Sequence, residues 1–598
     1  MEILIMKRIN IYSICSVCLG VVFSLLSLGC SDFFAPDTDD TLSSDDYIST
    51  QTEVYTGYIG IITKLQAIGD KSVYLTDMRG DLLEPTESSS SELIALYNYN
   101  EDLEGNAYAD PAGYYEVIIA CNDYLDNMRA FRKEKPELVN DERFDALESL
   151  TLRVKVWAYL TLAEIYGRAV WFDDAMLQIQ DLSDTKKFKL LSLDEVVDKC
   201  IDLLDNGDAS TDYINGKLTF SWYEWLDPET ALADSDYRYW DYMTPPYEGL
   251  MAKLCLWKGA ALQGSNRYEE AKKYYQTCAD LMFDALNKVI SDESKNYYYL
   301  PTAATPGNYA RLWDNAEPHA REVVCAIIYD YKRNQTNKLL YHFSSEYPNK
   351  YLLRPCMDIV EGHLENNTYN PGFSVDKRTS VICAGRGNKP FLAKYRPIGS
   401  TRRPDPFQDD VHIYLFRATE YHFFLMEALN ALGRFSAADA LLNAGLKVDH
   451  FLKDADGNME KDADGYGTPI EGFEGFTNDW TSQASWGTRK YPHMGIRGCF
   501  GLTSRPMNLS SDIAEDGSNL FEMMRENDLS ILDEELIEFA GEGKVYPCMI
   551  RTARRWGEGQ YDVSIISERV LPKYGANSEA MRQKVESQIF VPWDLKLR

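Results

Sequence analysis

Gly433-Arg434-Phe435-Ser436-Ala437-Ala438 decides the fold once it is set beside Asn266-Arg267-Tyr268-Glu269-Glu270-Ala271. Both read as a turn residue, Arg, an aromatic, two variable positions and Ala. Each lies inside a stretch of helical hydrophobic periodicity, residues 249–275 and 413–446, which reads as a helix, a turn and a helix. An aromatic just past such a turn plugs the gap between two helices, and a small Ala lets them approach. That is the logic of tetratricopeptide-type hairpins. Weaker copies lie near Tyr58 and Tyr166. Repeats of this type normally abut, whereas long irregular stretches separate these. The expectation is a mainly α fold of tetratricopeptide-like helical repeats with long irregular loop insertions.

Outward from the hairpins, residues 53–65, 114–128, 150–166 and 193–204 also carry amphipathic helical periodicity. In the second of these, Tyr115, Val117, Ile118, Ala120, Cys121, Tyr124 and Leu125 make a broad apolar face. Gly167 ends the third, and Ser192 stands at the N-cap of the fourth. The insertions are residues 68–110, 208–247, 291–320, 363–410 and 453–520, rich in Gly, Pro, Asp, Asn, Trp and Tyr. Loops this long are functional or disordered, and their aromatic content argues against disorder.

The chain has 598 residues, and 93 acidic against 61 basic side chains give a net charge of -32. That balance excludes a nucleic-acid surface, which needs basic groups to displace counterions. Of 12 Cys, three fall in the first 30 residues. The other nine are scattered without CxxC spacing, which signals neither a zinc site nor a disulfide framework. They read as buried thiols.

The N-terminus has the anatomy of a secretory signal: Lys7 and Arg8, an apolar run over 9–28, then Gly29-Cys30-Ser31-Asp32. A Cys after a small residue is what a bacterial lipoprotein signal needs, since its thiol takes the lipid. The alternative is an uncleaved transmembrane helix, for which about 20 apolar residues suffice. Ser27 stands where such lipoprotein signals usually carry Leu. The domain reading is a signal peptide over 1–29, a flexible tether over 30–45 with Cys30 as lipid attachment site, and one helical-repeat binding domain over 46–598.

The order of several motifs resembles the SusD/RagB family of outer-membrane lipoproteins, over almost the whole mature chain. These are Cys30-Ser31-Asp32-Phe33-Phe34, Tyr114-Tyr115-Glu116-Val117-Ile118, the Arg153 helix ending in Tyr166-Gly167, and Arg417-Ala418-Thr419-Glu420 leading to Glu427-Ala428. Glu535 to Gly543 and Arg554-Arg555-Trp556-Gly557 complete the series. The chain departs from the family at Lys544-Val545-Tyr546, where Arg is usual, and in its short C-terminal Phe590-Val591-Pro592-Trp593. The resemblance implies a non-enzymatic binding protein on the outer face of a Gram-negative outer membrane. It would cap a SusC-like, TonB-dependent β-barrel and present oligosaccharides, or in some branches peptides.

Sugar binding needs flat apolar faces for pyranose C–H surfaces and planar polar groups for hydroxyls. The loop over 77–100 has both: Asp77, Arg79 and Asp81, then Tyr97, Asn98, Tyr99 and Asn100. The resemblance adds a middle segment, here Tyr297-Tyr298-Tyr299 and Trp313-Asp314-Asn315. The candidate ligand residues are therefore Asp77, Arg79, Asp81, Tyr97, Tyr99, Asn100, Tyr298, Trp313 and Asp314. For the three charged residues a structural salt bridge is the competing reading. Further aromatic clusters lie at Trp222 to Tyr242 and at Trp480, Trp486 and Arg489, for ligand, packing or partner contact. Asp454, Asp456 and Asn458 resemble a calcium loop, although position 12 is Gly465 rather than Glu; solvated Asp-Gly turns are the other reading. No cofactor motif is present, and HExxH, GxSxG, Walker A and GxGxxG patterns are absent. A carboxylate pair on a helical scaffold keeps a hydrolase open as a third reading.

Overall fold

Thr50 starts the first helix by a reciprocal cap. Its hydroxyl accepts the Glu53 N–H at 3.3 Å, and the Glu53 carboxylate accepts the Thr50 N–H at 2.8 Å. The computed structural model describes residues 48–139, 141–176, 187–206, 243–291, 309, 313, 323–329, 334–362, 376–385, 389–395, 411–481 and 493–593. The longer helices of the first half are α1 (Gln51–Ile68), α2 (Lys71–Asp77), α3 (Ser91–Tyr97), α4 (Ala112–Glu134), α5 (Asp141–Tyr166), α6 (Leu193–Asn206), α7 (Tyr247–Gly264) and α8 (Tyr268–Ser291). Those of the second half are α9 (Leu339–Phe343), α10 (Ala418–Ala431), α11 (Phe435–Asp439), α12 (Leu520–Glu538), α13 (Val545–Arg555), α14 (Val563–Val570) and α15 (Ser578–Ser587). Packing runs from α1 to α4, α5, α6, α7, α8, α10 and α12 in turn, and α13 returns from α12 onto α7. One continuous hydrophobic core runs from Ile48 to Val591. No described helix is long and apolar enough to cross a membrane.

The two hairpin turns share a hydrogen-bond pattern. Asn266 N–H donates to the Gln263 carbonyl and Arg267 N–H to Leu262; Gly433 N–H donates to Asn430 and Arg434 N–H to Leu429. This is the paired closure of a Schellman cap, with Asn266 (φ +59°) and Gly433 (φ +78°) in the left-handed position. Tyr268 Oη donates to the Ala431 carbonyl at 2.8 Å, so the first turn is tied to the end of α10. Phe435 is fully buried beside Met523 and Met524, and Tyr268 packs against the same cluster. Ala271 and Ala438 are both fully buried. At Gly259 an added Cβ would meet the Tyr275 ring at 2.5 Å, and at Gly264 it would meet the Arg554 carbonyl at 2.1 Å. These contacts draw α7 tight against α8 and α13.

Two details differ from the sequence reading. Residues 413–417 begin the second hairpin region as a strand, not a helix: β6 (Ile413–Arg417) pairs antiparallel with β4 (Val323–Ile327). All five β6 residues are buried, so no alternation marks them. The insertion at 68–110 contains α2, α3 and β1 (Leu83–Pro85), which pairs with β5 (Leu353–Pro355). A third antiparallel pair joins β2 (Arg168–Trp171) to β3 (Lys189–Ser192). Ser192 caps α6: its hydroxyl accepts the Glu195 N–H at 3.4 Å, and Glu195 returns a 2.8 Å acceptor to the Ser192 N–H.

The acidic and basic motif residues form a buried ionic lattice around α12. Arg378 contacts Asp376, Glu534 and Glu538, and Arg417 contacts Glu538 and Glu542 at 2.9 Å each. Lys394 also reaches Glu542, while Arg497 and Arg505 both reach Glu534. Burial works against the charge of Glu534, but Arg378, Arg497 and Arg505 outweigh it and hold the carboxyl well below its usual range. In a second group Arg551 and Arg555 grip Glu427, and Arg555 also takes Asp528 at 2.7 Å. Lys544, in the place where Arg was expected, pairs with Glu420. Burying such charges costs several kcal/mol each unless opposite charges accompany them, which explains why acids and bases recur together in these motifs.

Candidate functional site

The early loop turns most of its polar and aromatic groups inward. Asn98 ends α3, and Tyr99 follows with φ +51°, which sends its ring into the core. The Arg79 guanidinium lies 3.9 Å over the centre of that ring, and Tyr99 Oη donates to the Arg79 carbonyl at 2.5 Å. Arg79 Nη2 donates to the carbonyls of Gln588 and Phe590, so this arginine clamps the C-terminal segment. Asp77 accepts the Gly543 N–H at 2.8 Å, and burial pushes its carboxyl well above the usual range. Asp81 borders a narrow, mostly apolar cleft with Asp533, Ile382 and Ile537. Asp77, Arg79, Asp81 and Tyr99 are all buried. The left-handed turn and the C-terminal clamp face Tyr99 and Arg79 inward, Asp77 holds the Gly543 N–H, and Asp81 lines the cleft.

Trp313 is also buried. Its ring lies 5.1 Å from that of Tyr414, with Lys394 at 4.6 Å and Arg417 at 5.7 Å from its centre. It therefore roofs the ionic lattice instead of facing solvent. Tyr298, Asp314 and Cys30 lie outside the described residues, as do the aromatics over 222–242, Trp486 and Arg489. Trp480 is buried, with its indole N–H on Asn287 at 2.7 Å and its ring against His422 and His493. Asp454 Oδ1 accepts the backbone N–H groups of Asp456 and Asn458, and Asp462 Oδ1 those of Asp464 and Tyr466. These are Asx-type turns with carboxylates engaged by backbone donors. Among the described residues no three His, Cys, Asp or Glu side chains are grouped so as to hold a metal ion.

Of the candidate ligand residues in the early loop, Tyr97 and Asn100 remain accessible, both half-buried. Tyr97 meets Tyr574 at 4.8 Å between ring centres, and Tyr574 Oη donates to the Tyr97 carbonyl at 2.5 Å. Beneath them Lys573 is buried, 4.8 Å from the Tyr97 ring centre, and donates to the carbonyls of Met78 and Gly80. Burial pulls its ammonium down to about 7. The β1–β5 pair then joins this early loop to a middle segment that the sequence did not single out. Arg354 sits opposite Glu84 in that pair and donates to it at 2.7 Å, with Glu87 at 3.5 Å. Tyr341 on α9 is exposed, and Tyr108 Oη bonds His342 Nε2 at 3.1 Å. Because α3 packs on β1, β1 pairs with β5 and α9 packs on β5, the elements that carry Tyr97, Arg354 and Tyr341 meet at one corner of the fold.

Solved structures share this architecture along nearly the whole chain. A SusD superfamily protein from Bacteroides vulgatus is 12% identical, with 90% of this chain and 92% of that one covered at a TM-score of 0.52. A SusD homolog from Bacteroides thetaiotaomicron is 12% identical, covering 92% and 97% at 0.52. This chain has the SusD-like fold. B. fragilis NanU also matches, 14% identical over 89% and 94% of the two chains at a TM-score of 0.50. No protein-family model matches the chain, and no curated protein matches it significantly. At these identities the SusD-like fold is what is shared, and the corner around Tyr97, Arg354 and Tyr341 is described from this chain's own side chains.

Proposed function

We propose that this chain is a surface lipoprotein that binds a glycan and passes it to a SusC-like, TonB-dependent β-barrel. The observation that carries the reading is the SusD-like fold over about nine-tenths of the chain, matched at 92% coverage. The signal ending at Cys30 supports lipid anchoring in the outer membrane. The corner bearing Tyr97, Asn100, Arg354 and Tyr341 supports glycan chemistry, since it pairs aromatic faces with planar hydrogen-bonding groups. We assign binding rather than catalysis. Glu427 and Glu535, which share Arg551, are buried and held by guanidinium groups, so this carboxyl pair does not meet a substrate.

Affinity electrophoresis against a panel of polysaccharides tests the reading. Retardation by at least one polymer is expected, weakened by Tyr97→Ala. Absence of any retardation together with co-purifying peptides would replace glycan by peptide as the ligand, and release of reducing ends would overturn binding without catalysis.

A further inference from the structure

Four lysines are buried among the described residues, and three of them hold a carboxylate. Lys155 takes Asp173 at 2.7 Å, Lys394 takes Glu542 at 2.7 Å, and Lys544 takes Glu420. The fourth, Lys573, forms no ion pair among the described residues. Its Nζ donates to two carbonyls, Met78 at 2.8 Å and Gly80 at 2.5 Å. Two acceptors match the two N–H groups of a neutral amine. An ammonium carries a third, and no third oxygen among the described residues takes it. The ring centres of Tyr97 and Tyr574 lie 4.8 and 5.3 Å from Nζ instead. Cation–ring attraction offsets part of the cost of burying that charge, but a buried ammonium without a carboxylate stays expensive.

The segment that carries Lys573 is able to move. It is the turn Leu571–Asn577 between α14 and α15, and its helical geometry breaks at Gly575, with φ +51° and ψ −121°. Pro572, Gly575, Ala576 and Asn577 face water. The turn grips the body through Lys573 and through Tyr574, whose ring meets Tyr97 at 4.8 Å and whose Oη donates to the Tyr97 carbonyl. Tyr97 is the half-buried aromatic of the corner described above, so the turn forms one edge of that corner. The groups facing Lys573 are Arg79 and Asp81 after α2, Glu84 on β1, Tyr97 on α3, Cys356 after β5 and Tyr574 beside it. Burial outweighs Asp81, Cys356 and Glu84, which favour the charge, and Arg79 opposes it too. We propose that the 571–577 turn is a pH-sensitive flap on the Tyr97 corner, held closed by Lys573 as a neutral amine and loosened when Lys573 takes up a proton. The flap stands on these contacts alone; its effect on ligand rests on the glycan reading above.

Hydrogen exchange of the purified full-length protein in detergent tests the flap without any ligand. Peptides covering 78–82 and 571–577 are followed between about pH 6 and 9, corrected for intrinsic exchange, with α5 as reference. An exposed lysine keeps its proton to about 10.4. Opening should therefore be level below about pH 7 and fall about tenfold per pH unit above it, while α5 stays level. Lys573→Met should be closed and level throughout, and Lys573→Arg, charged at every pH, open and level. A level wild-type profile, or the same slope in α5 or in Lys573→Met, overturns the flap and leaves the glycan reading standing. Affinity electrophoresis at the same pH values, with soluble starch, laminarin, mannan and chondroitin sulfate as probes, tests its effect. A polymer that binds should bind more tightly at pH 8.5 than at 6.5 in the wild type and equally in Lys573→Met. Equal binding in the wild type overturns control of the corner by the flap. Exchange that follows pH together with no binding of any polysaccharide supports the flap and overturns the glycan reading.

Discussion

Glu427 and Glu535 face the same guanidinium but carry opposite protonation tendencies. Arg551 Nε donates to Glu427 at 3.0 Å, and Arg551 Nη2 lies 3.7 Å from Glu535. Burial and the neighbouring Glu427 push Glu535 well above the usual carboxyl range, while Arg551 and Arg555 outweigh burial and keep Glu427 below it. Burial and the Glu427 charge thus bias Glu535 toward its neutral form, which an amide mimics. Glu535→Gln should shift the unfolding free energy by less than about 1 kcal/mol, whereas Glu427→Gln, which strips the charge facing two buried guanidinium groups, should cost about 3–5 kcal/mol. Urea unfolding of both variants checks this; equal effects would mean the two carboxyls share the charge. The early loop makes a related point about legibility. Tyr97 and Tyr99 are the same residue type two positions apart, yet one lies at the surface and the other under Arg79. Residue type and spacing gave the chemistry of the loop, but the left-handed backbone at Tyr99 and the C-terminal clamp on Arg79 decide which ring faces water. Neither is encoded locally. Tyr99→Ala should accordingly lower the melting temperature rather than act selectively on ligand affinity, which paired thermal and binding measurements distinguish.

At the scale of elements, the hairpin turns were legible because their signal is local: a left-handed cap residue, an aromatic and an Ala at fixed offsets. Asn266 tests that signal directly. Its φ of +59° carries a Cβ in a region that only Gly visits freely, and Asn tolerates. Asn266→Gly should leave stability nearly unchanged and Asn266→Ala should cost about 1 kcal/mol, read from denaturant midpoints. A smaller loss for Ala than for Gly would mean that the left-handed backbone does not restrict the residue at this turn. The long helices α4 to α8 were legible for the same reason, since each carries its own apolar face. What was not legible depends on distant partners. β6 is an unbroken buried run that only its pairing with β4 makes a strand. The segments α2 and α3 have seven residues each, too few to hold a helix by themselves. α3 stands on β1, which pairs with β5 across some 270 residues of chain, and α2 stands on α5 and α13.

Across the whole molecule, the buried titratable groups set how the fold answers acid. His422 is fully buried; its Nδ1–H faces the Ala418 carbonyl at 2.7 Å and its ring stacks on His493 at 5.2 Å. Burial draws His422 down to about 4, and burial together with His422 holds His493 well below its usual value. The unfolded chain takes up a proton at each histidine near pH 6.5, and the native chain does not. At these two sites unfolding therefore binds more protons between about 6.5 and 4, and their contribution to stability falls as the pH drops through that range, against the opposite pull of the raised Asp77 and Glu535 carboxyls. For His422 the loss amounts to about 3 kcal/mol at roughly 1.4 kcal/mol per pH unit. Below it the carboxylates take over: Glu542, whose charge is opposed by burial but favoured by Arg417, Lys394 and Lys544, keeps its proton off until about 2. Its contribution is present above about 4.5 and is lost on the way down to 2, where the ionic lattice around α12 comes apart. Acid should thus weaken the protein in two stages, the histidine pair first and the lattice second. Urea unfolding at about pH 7, 5.5 and 4.5 should show the first stage, and His422→Leu should reduce its slope while leaving the second stage unchanged. An unchanged slope in His422→Leu would mean that this imidazole titrates alike in both states, and the Trp480–His422–His493 stack would then be no more than packing.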